Sequence, residues 1–313
     1  MEQQTTKHLM YCPWTGLGLY NGFRGNKWLK NRIKIFKQFV IPSLLAQTSH
    51  EFTLWCSWRP EEKNNPLVKE FINYLSTIKE FNSVHTFSGV CFYDDKYDDK
   101  TARERLINSL HGAIPYLINE VGGYKYVLMT IQPSDDLYVN YLISGVKRTF
   151  EELPQVKAIG FAKGYVCNYL TKQVAEYNPT TNPPFVTIKF PKEIFIDPLK
   201  HAEYTAMKRD EAQYKKGTPC PSHEYYPNVF GPEYLIVKAR GFMVGTHGAN
   251  ISTTWQIPFK GEIVSSEVLK EFGVYDAPPL KIKLSLRRRL YLSLPYRAQR
   301  KLRYWITEKF KKK

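Results

Sequence analysis

"YVLMTIQPSDDLY", residues 126–138, runs six apolar or β-branched residues into a proline and then sets two carboxylates side by side. A short apolar run bounded by turn chemistry is the pattern of a strand buried on both faces. Asp135 and Asp136 at its end repel each other unless something takes up their charge. Two arrangements answer that. The pair projects into a ligand crevice at the carboxyl end of the strand, where Mg²⁺ or Mn²⁺ takes oxygen ligands and shares them with substrate phosphates. Alternatively, Ser134 or Asp135 caps a following helix and Asp136 sits at its positive end.

Strands and helices alternate on the amino-terminal side of this stretch. "KHLMYC" (7–12) and "FTLWCSW" (52–58) are short apolar runs, and between them Trp28, Leu29, Ile33, Phe36, Phe39 and Val40 fall at helical spacing, with Pro42 kinking or restarting the segment. The alternation predicts a helix over 66–81, a strand over 84–93, a helix over 101–121, the strand 124–131 and a helix over 137–153. This is an α/β fold with a largely parallel sheet. Beyond residue 155 the pattern changes to short strands with frequent Gly, Pro and Asn, which predicts a mixed sheet and loops over the carboxyl ends of the first strands, where open α/β folds bind ligands. Residues 1–280 read as one domain, with a nucleotide-binding half (1–155) and an acceptor-side half (156–280), followed by a basic tail (281–313).

Composition excludes several classes. Aromatic residues make up 15% of the 313, well above the profile of a disordered chain. No stretch of about 18 uncharged apolar residues occurs, and the amino terminus lacks the pattern of a secretion signal. The five cysteines are widely spaced without ligand patterns and read as reduced, mostly buried thiols. Of the net charge of +16, +12 lies between Lys281 and Lys313, where thirteen Lys or Arg face one acid.

The ordered set "FVIPSLLAQTSHEFTLW", "TARERL…YKYVLMTIQPSDDLY" and "GTHGANISTTW" resembles the rhamnosyltransferase group of GT-A-fold glycosyltransferases over roughly residues 8–260. The resemblance implies a GT-A-like (Rossmann-like) mixed, mostly parallel sheet flanked by helices, a nucleotide-sugar donor, a divalent metal (Mn²⁺ or Mg²⁺) held by the Asp motif, and transfer to a glycan or lipid-linked acceptor such as a growing cell-surface polysaccharide. The chain departs from the pattern twice: Pro133 stands where the first acid of "D.DD" is expected, and the second strand ends in "CSWRP", with Arg59 in place of a base-contacting acid.

In that frame Asp135 ligates the metal, Asp136 ligates it or orients a donor hydroxyl, and His247 supplies a third ligand or meets the diphosphate. Asn250 joins the donor side. Arg103 and Arg105, on the helix after "DDKYDDK", face the nucleotide, with Asp98 or Asp99 on base or ribose; the same residues also read as a solvated loop and a helix cap. A proton acceptor for the incoming hydroxyl is sought in "IFIDPLKHAEY" (194–204), where Asp197, His201 and Glu203 are all available, and His201 and Glu203 are the catalytic candidates. Arg24, in a glycine-rich stretch, is placed near a phosphate.

The tail mixes Leu, Tyr and Trp305 with dense cations. Such segments lie on anionic membrane surfaces, and the same charges bind nucleic-acid phosphates or remain solvated. The expected protein is a cytoplasmic glycosyltransferase peripheral to the inner face of the membrane, with no specific nucleic-acid partner. The alternative is a non-catalytic sugar-nucleotide- or glycan-binding relative.

Overall fold

The computed structural model describes residues 4–15, 25–89, 99–205, 226–247 and 261–282, with 286, 290, 294 and 298 singly; from 99 to 105 only the backbone is described. The first strand, β1 (Gln4–Pro13), leads into α1 (Asn26–Ile35), whose buried stripe is Leu29, Arg32, Ile33 and Ile35. Pro42 stands in the first turn of a restarted α-helix, as expected. A π-helical turn, Phe36–Val40, precedes α2 (Ile41–Leu45), so the chain stays helical. Widening the turn accommodates a proline that can neither donate its amide nor tolerate a normal carbonyl behind its ring.

The parallel section follows: β2 (Thr53–Ser57), α3 (Pro66–Leu75), β3 (Asn82–Thr86), α4 (Asp99–Val121) and β4 (Tyr124–Ile131). β1 lies between β2 and β4, parallel to both, and β2 pairs in parallel with β3. The chain therefore leaves β1 toward β2 and β3, then crosses back to place β4 on the other side of β1. Between the carboxyl ends of β1 and β4 the winding direction reverses, which is where α/β sheets open a crevice.

The remaining strands are β5 (Leu137–Tyr138), β6 (Ala158–Asn168), β7 (Gln173–Tyr177), β8 (Val186–Pro191), β9 (Tyr234–Thr246) and β10 (Ile263–Val264). They extend the sheet to the order β10-β7-β6-β8-β4-β1-β2-β3, with β9 joining β5 to β6. β8 runs antiparallel to β4, and β6 is parallel to β9 but antiparallel to β7 and β8. The α/β class and the GT-A-like layout of a mixed sheet flanked by helices are thus present. The expected helix over 137–153 is shorter. Leu137 and Tyr138 pair as a strand with Met243 and Phe242, and α5 (Leu142–Glu152) begins only after them.

The sheet separates two apolar layers. One face packs α1, α3 and α5 through Leu29, Ile33, Phe71, Ile143 and Val146. The other packs α4 through Leu110, Ile114 and Leu117, together with α6 (Lys192–Phe195), α7 (Pro198–Thr205) and α8 (Tyr226–Phe230). Cys12, Cys56 and Cys167 are free and buried, as expected of reduced thiols. No helix among the described residues is long and apolar enough to cross a membrane.

Candidate functional site

The acid pair sits in a turn just beyond β4, with the amide of Gln132 donating to the carbonyl of Tyr11 on β1. It does not cap a helix, because Tyr141 occupies the N-cap of α5 and no side chain caps it. The helix end "PSLLAQT" (42–48) holds the segment that follows this turn. Ser43 Oγ donates to the carbonyl of Tyr138 (3.1 Å), Gln47 Nε2 donates to that of Val139 (2.9 Å), and the amide of Thr48 donates to that of Asn140 (2.7 Å).

Asp135 meets Arg32 and His247. The guanidinium of Arg32, from the buried stripe of α1, forms an ion pair with Asp135 Oδ2, and His247 Nε2 lies 3.1 Å from the same oxygen. Burial alone would raise the Asp135 pKa, but the adjacent Arg32 charge and the His247 hydrogen bond outweigh it and bring it down to about 2. An ionised carboxylate only accepts, so His247 donates to it from Nε2. His247 is 1% exposed, and burial lowers its pKa, which keeps the ring neutral.

Asp136 points elsewhere. Its Oδ1 accepts the Gly245 amide at 2.9 Å, and its backbone carbonyl accepts Gln132 Nε2. Burial and the neighbouring Asp135 charge push its pKa well up, so the protonated form is favoured. Glycine is required at 245 for contact reasons: a Cβ there would lie 2.1 Å from the Asp135 carbonyl and 2.4 Å from the Tyr169 ring. Tyr169 in turn donates its hydroxyl to that same carbonyl (2.9 Å). The chain after β9 and the turn after β4 are therefore locked face to face.

Asp135, Asp136 and His247, expected as metal ligands, are brought together, but their chemistry does not fit a resident Mn²⁺ or Mg²⁺. The oxygen that would ligate the ion accepts from a guanidinium, and Asp136 is turned to a backbone amide. A cation ligated there would face Arg32 at contact distance. Among the described residues no group of three or more His, Cys, Asp or Glu has metal-holding geometry.

The acceptor-side candidates lie elsewhere. β8 runs antiparallel to β4, with Thr187 opposite Thr130 and Pro191 opposite Tyr126, so the chain enters α6 at the amino-terminal end of β4. His201 is therefore not an acceptor-facing base, and this corrects the expectation. It is 4% exposed, its Nδ1 is 3.0 Å from the Phe195 carbonyl, and its ring packs on Phe190 and Phe195. Burial takes its pKa down to about 4. Asp197 accepts from the amides of Leu199 and Lys200 at the start of α7, a capping role. Glu203 is exposed on the same helix, away from Asp135. Arg59 pairs with Glu61. Asp98, Asn250, Arg24 and the side chains of Asp99, Arg103 and Arg105 lie outside the described residues.

Arg32 is the residue that sequence reasoning missed. It falls at the buried spacing of Leu29, Ile33 and Phe36, and a cation in an apolar stripe is the signal that finds it.

A cavity of ≈ 540 Å³ lies at the other end of the sheet, lined by Thr6, His8, Glu51, Phe81, Tyr124 and Lys147 among others, and none of the Asp135 cluster lines it.

No protein-family model and no curated protein matches the chain. Among solved structures it is similar to residues 1–349 of TarS from S. aureus, with 11% identity and a TM-score of 0.38 over 76% of this chain and 60% of that one. A second is described as a nucleotide-diphospho-sugar transferase from Desulfovibrio desulfuricans G20, with 11% identity and a TM-score of 0.38 over 87% of this chain and 96% of that one. The chain thus spans about 60% of the TarS fragment.

Proposed function

We propose that this chain is a glycosyltransferase that takes a sugar from a nucleoside-diphosphate donor and passes it to a glycan or lipid-linked acceptor. The observation that carries this reading is the position of the Arg32–Asp135–His247 cluster. It stands at the carboxyl ends of β1 and β4, where the strand order reverses; Asp135 and His247 come from two of the three segments on which the rhamnosyltransferase resemblance rests, and Arg32 from α1 ahead of the first. A buried ion pair costs desolvation and is weak evidence for stability alone. Here it fixes the buried His247 ring at the carboxyl ends of β1 and β4, with one nitrogen held by Asp135.

In this reading Asp135 is a positioning residue. It holds the tautomer and the direction of His247, and Arg32 keeps it ionised. Asp136, favoured in its protonated form, ties the turn to Gly245. Rhamnose is the sugar that the resemblance suggests. Arg103, Arg105, Asp98, Asp99 and Asn250 are proposed for the nucleotide and sugar.

The test is release of nucleoside diphosphate by the full chain over a panel of nucleotide sugars, in EDTA and in Mn²⁺. One donor is expected to turn over, and Asp135→Ala should lower its rate by at least about a hundredfold, the scale of losing oriented polar catalysis. Full activity in Asp135→Ala would remove the cluster from the reaction.

The second reading is a non-catalytic sugar-nucleotide- or glycan-binding relative. Pro133 in place of the first motif acid and the consumption of Asp135 by Arg32 favour it. Calorimetric binding of a nucleotide sugar with no turnover across the panel would establish it over the enzyme.

A further inference from the structure

α1 turns Arg32 inward to Asp135 and presents a different chemistry outward. Lys30, Lys34, Lys37 and Gln38 meet Lys281 and Ile282 around a groove of ≈ 620 Å³, and every charged group lining it is a lysine. Lys27, Lys30 and Lys34 are exposed, at spacings of three and four that put them on one side of the helix. Residues 3–50 hold seven Lys or Arg and no acid, so that segment offers the lysines no local carboxylate. Like charges at this spacing disfavour the isolated helix, and an external anion relieves them.

The course of the carboxyl-terminal segment builds the other wall. Lys172 Nζ donates to the carbonyls of Tyr275 (3.0 Å) and Ala277 (2.8 Å), and the amide of Leu280 donates to that of Tyr169 (2.7 Å). Gln38 Nε2 then donates to the Pro278 carbonyl (2.5 Å) and Lys34 Nζ to the Lys281 carbonyl (2.7 Å). The first residue of the +12 tail is thereby fastened to the lysine face of α1.

We propose that this groove and the lysine face of α1 dock on a bilayer carrying anionic phospholipids, with headgroup phosphates set among Lys30, Lys34, Lys37 and Lys281. Phosphates alone would also suit a nucleic acid, but the apolar groups beside them decide for lipid. Ile33 and Ile282 line the groove. Leu286, Leu290 and Leu294, four residues apart, are 66%, 59% and 38% exposed, with Arg287, Arg288 and Arg289 between the first two. Residues 286 and 290 are helical, so Leu286 and Leu290 share a helix face, and Leu294 follows in a bend. A stripe of exposed leucine beside dense cations suits the boundary between headgroups and acyl chains. A nucleic-acid backbone has no use for it.

The test is flotation of the full chain with vesicles of phosphatidylcholine alone or mixed with phosphatidylserine. Wild-type protein is expected to float with the mixed vesicles and not with the neutral ones. Reversing Lys30→Glu and Lys34→Glu together should weaken partitioning at least about tenfold, with the thermal unfolding midpoint unchanged. Partitioning unaltered by that double change, or equal on neutral vesicles, overturns the proposal. So does binding of duplex RNA through these lysines without flotation. Should the double variant fail to fold, amine acetylation of wild-type protein decides. Mixed vesicles must shield Lys30 and Lys34 from the reagent, and full reactivity of both overturns the proposal.

Discussion

His247 and His201 are both buried histidines whose pKa values burial drives down, and both were candidates for the site. Their neighbours separate them. His247 gives its Nε2 to an ionised carboxylate that also holds Arg32, at the reversal point of the sheet. His201 meets a backbone carbonyl among phenylalanine rings, on the chain that leaves the other end of β4. Burial and a titratable ring are common to both, so neither identifies a site. What distinguishes one is convergence of charged partners from distant segments at the point where the strand order reverses.

The comparison breaks most sharply at Arg32. Arg32→Ala leaves a buried carboxylate without its cation, and chemical denaturation should show a loss of about 3–5 kcal/mol. A loss under about 1 kcal/mol would mean the pair is not buried as described. Gly245→Ala attacks the same cluster through shape. Its new Cβ has no room against the Asp135 carbonyl and the Tyr169 ring, and about 1–3 kcal/mol of stability should go, together with nucleoside-diphosphate release.

On the other side of the comparison, His201 should appear in stability and not in activity. Its folded pKa of about 4 lies below the unfolded 6.5, so its contribution is complete above pH 6.5 and declines as pH falls toward 4. Linkage sets the slope at about 1.4 kcal/mol per pH unit for one such group within that window. His8 and His85, lowered to about 3 and about 4 by burial, add to the same decline. His201→Gln should flatten the stability–pH curve by one group's share while donor turnover stays within about twofold; a large fall in turnover would return His201 to the site.

Asp136 carries the opposite sign. Its raised pKa means that stability is lost as pH rises above the unfolded carboxylate value, since the unfolded chain ionises first. Asp136→Asn, which can still accept from Gly245, should therefore stabilise the protein at pH 7 and be neutral below pH 3.8, as read by thermal melts at the two pH values. Destabilisation at pH 7 would show that the ionised form is the one held. Glu203→Gln should do least: stability within about 0.5 kcal/mol and turnover unchanged, because the side chain is exposed on α7.

Much of the fold was legible in the chain. The apolar runs at 7–12, 52–58 and 124–131 are β1, β2 and β4, because strands covered on both faces must be continuously apolar. Leu137 and Tyr138 read as helical because their neighbours have helical spacing, whereas pairing with β9 claims them. At the site, the acid pair and His247 stand out by type and context. Arg32 was hidden by lying at a core position, and His201 was drawn in because its surroundings offered several ionisable groups in a few residues.

The alternation of apolar patterns determined the α/β class, the acids at the end of the fourth strand and the charge of the tail, since each depends on residues adjacent in the chain. Tertiary structure alone decided which cation answers Asp135, that the amide of a glycine 109 positions away donates to Asp136, and that antiparallel β8 carries His201 to the far end. It also decided that Lys281 lies against α1. These are contacts between segments remote in sequence, and only the path of the backbone through the sheet sets which side chains meet.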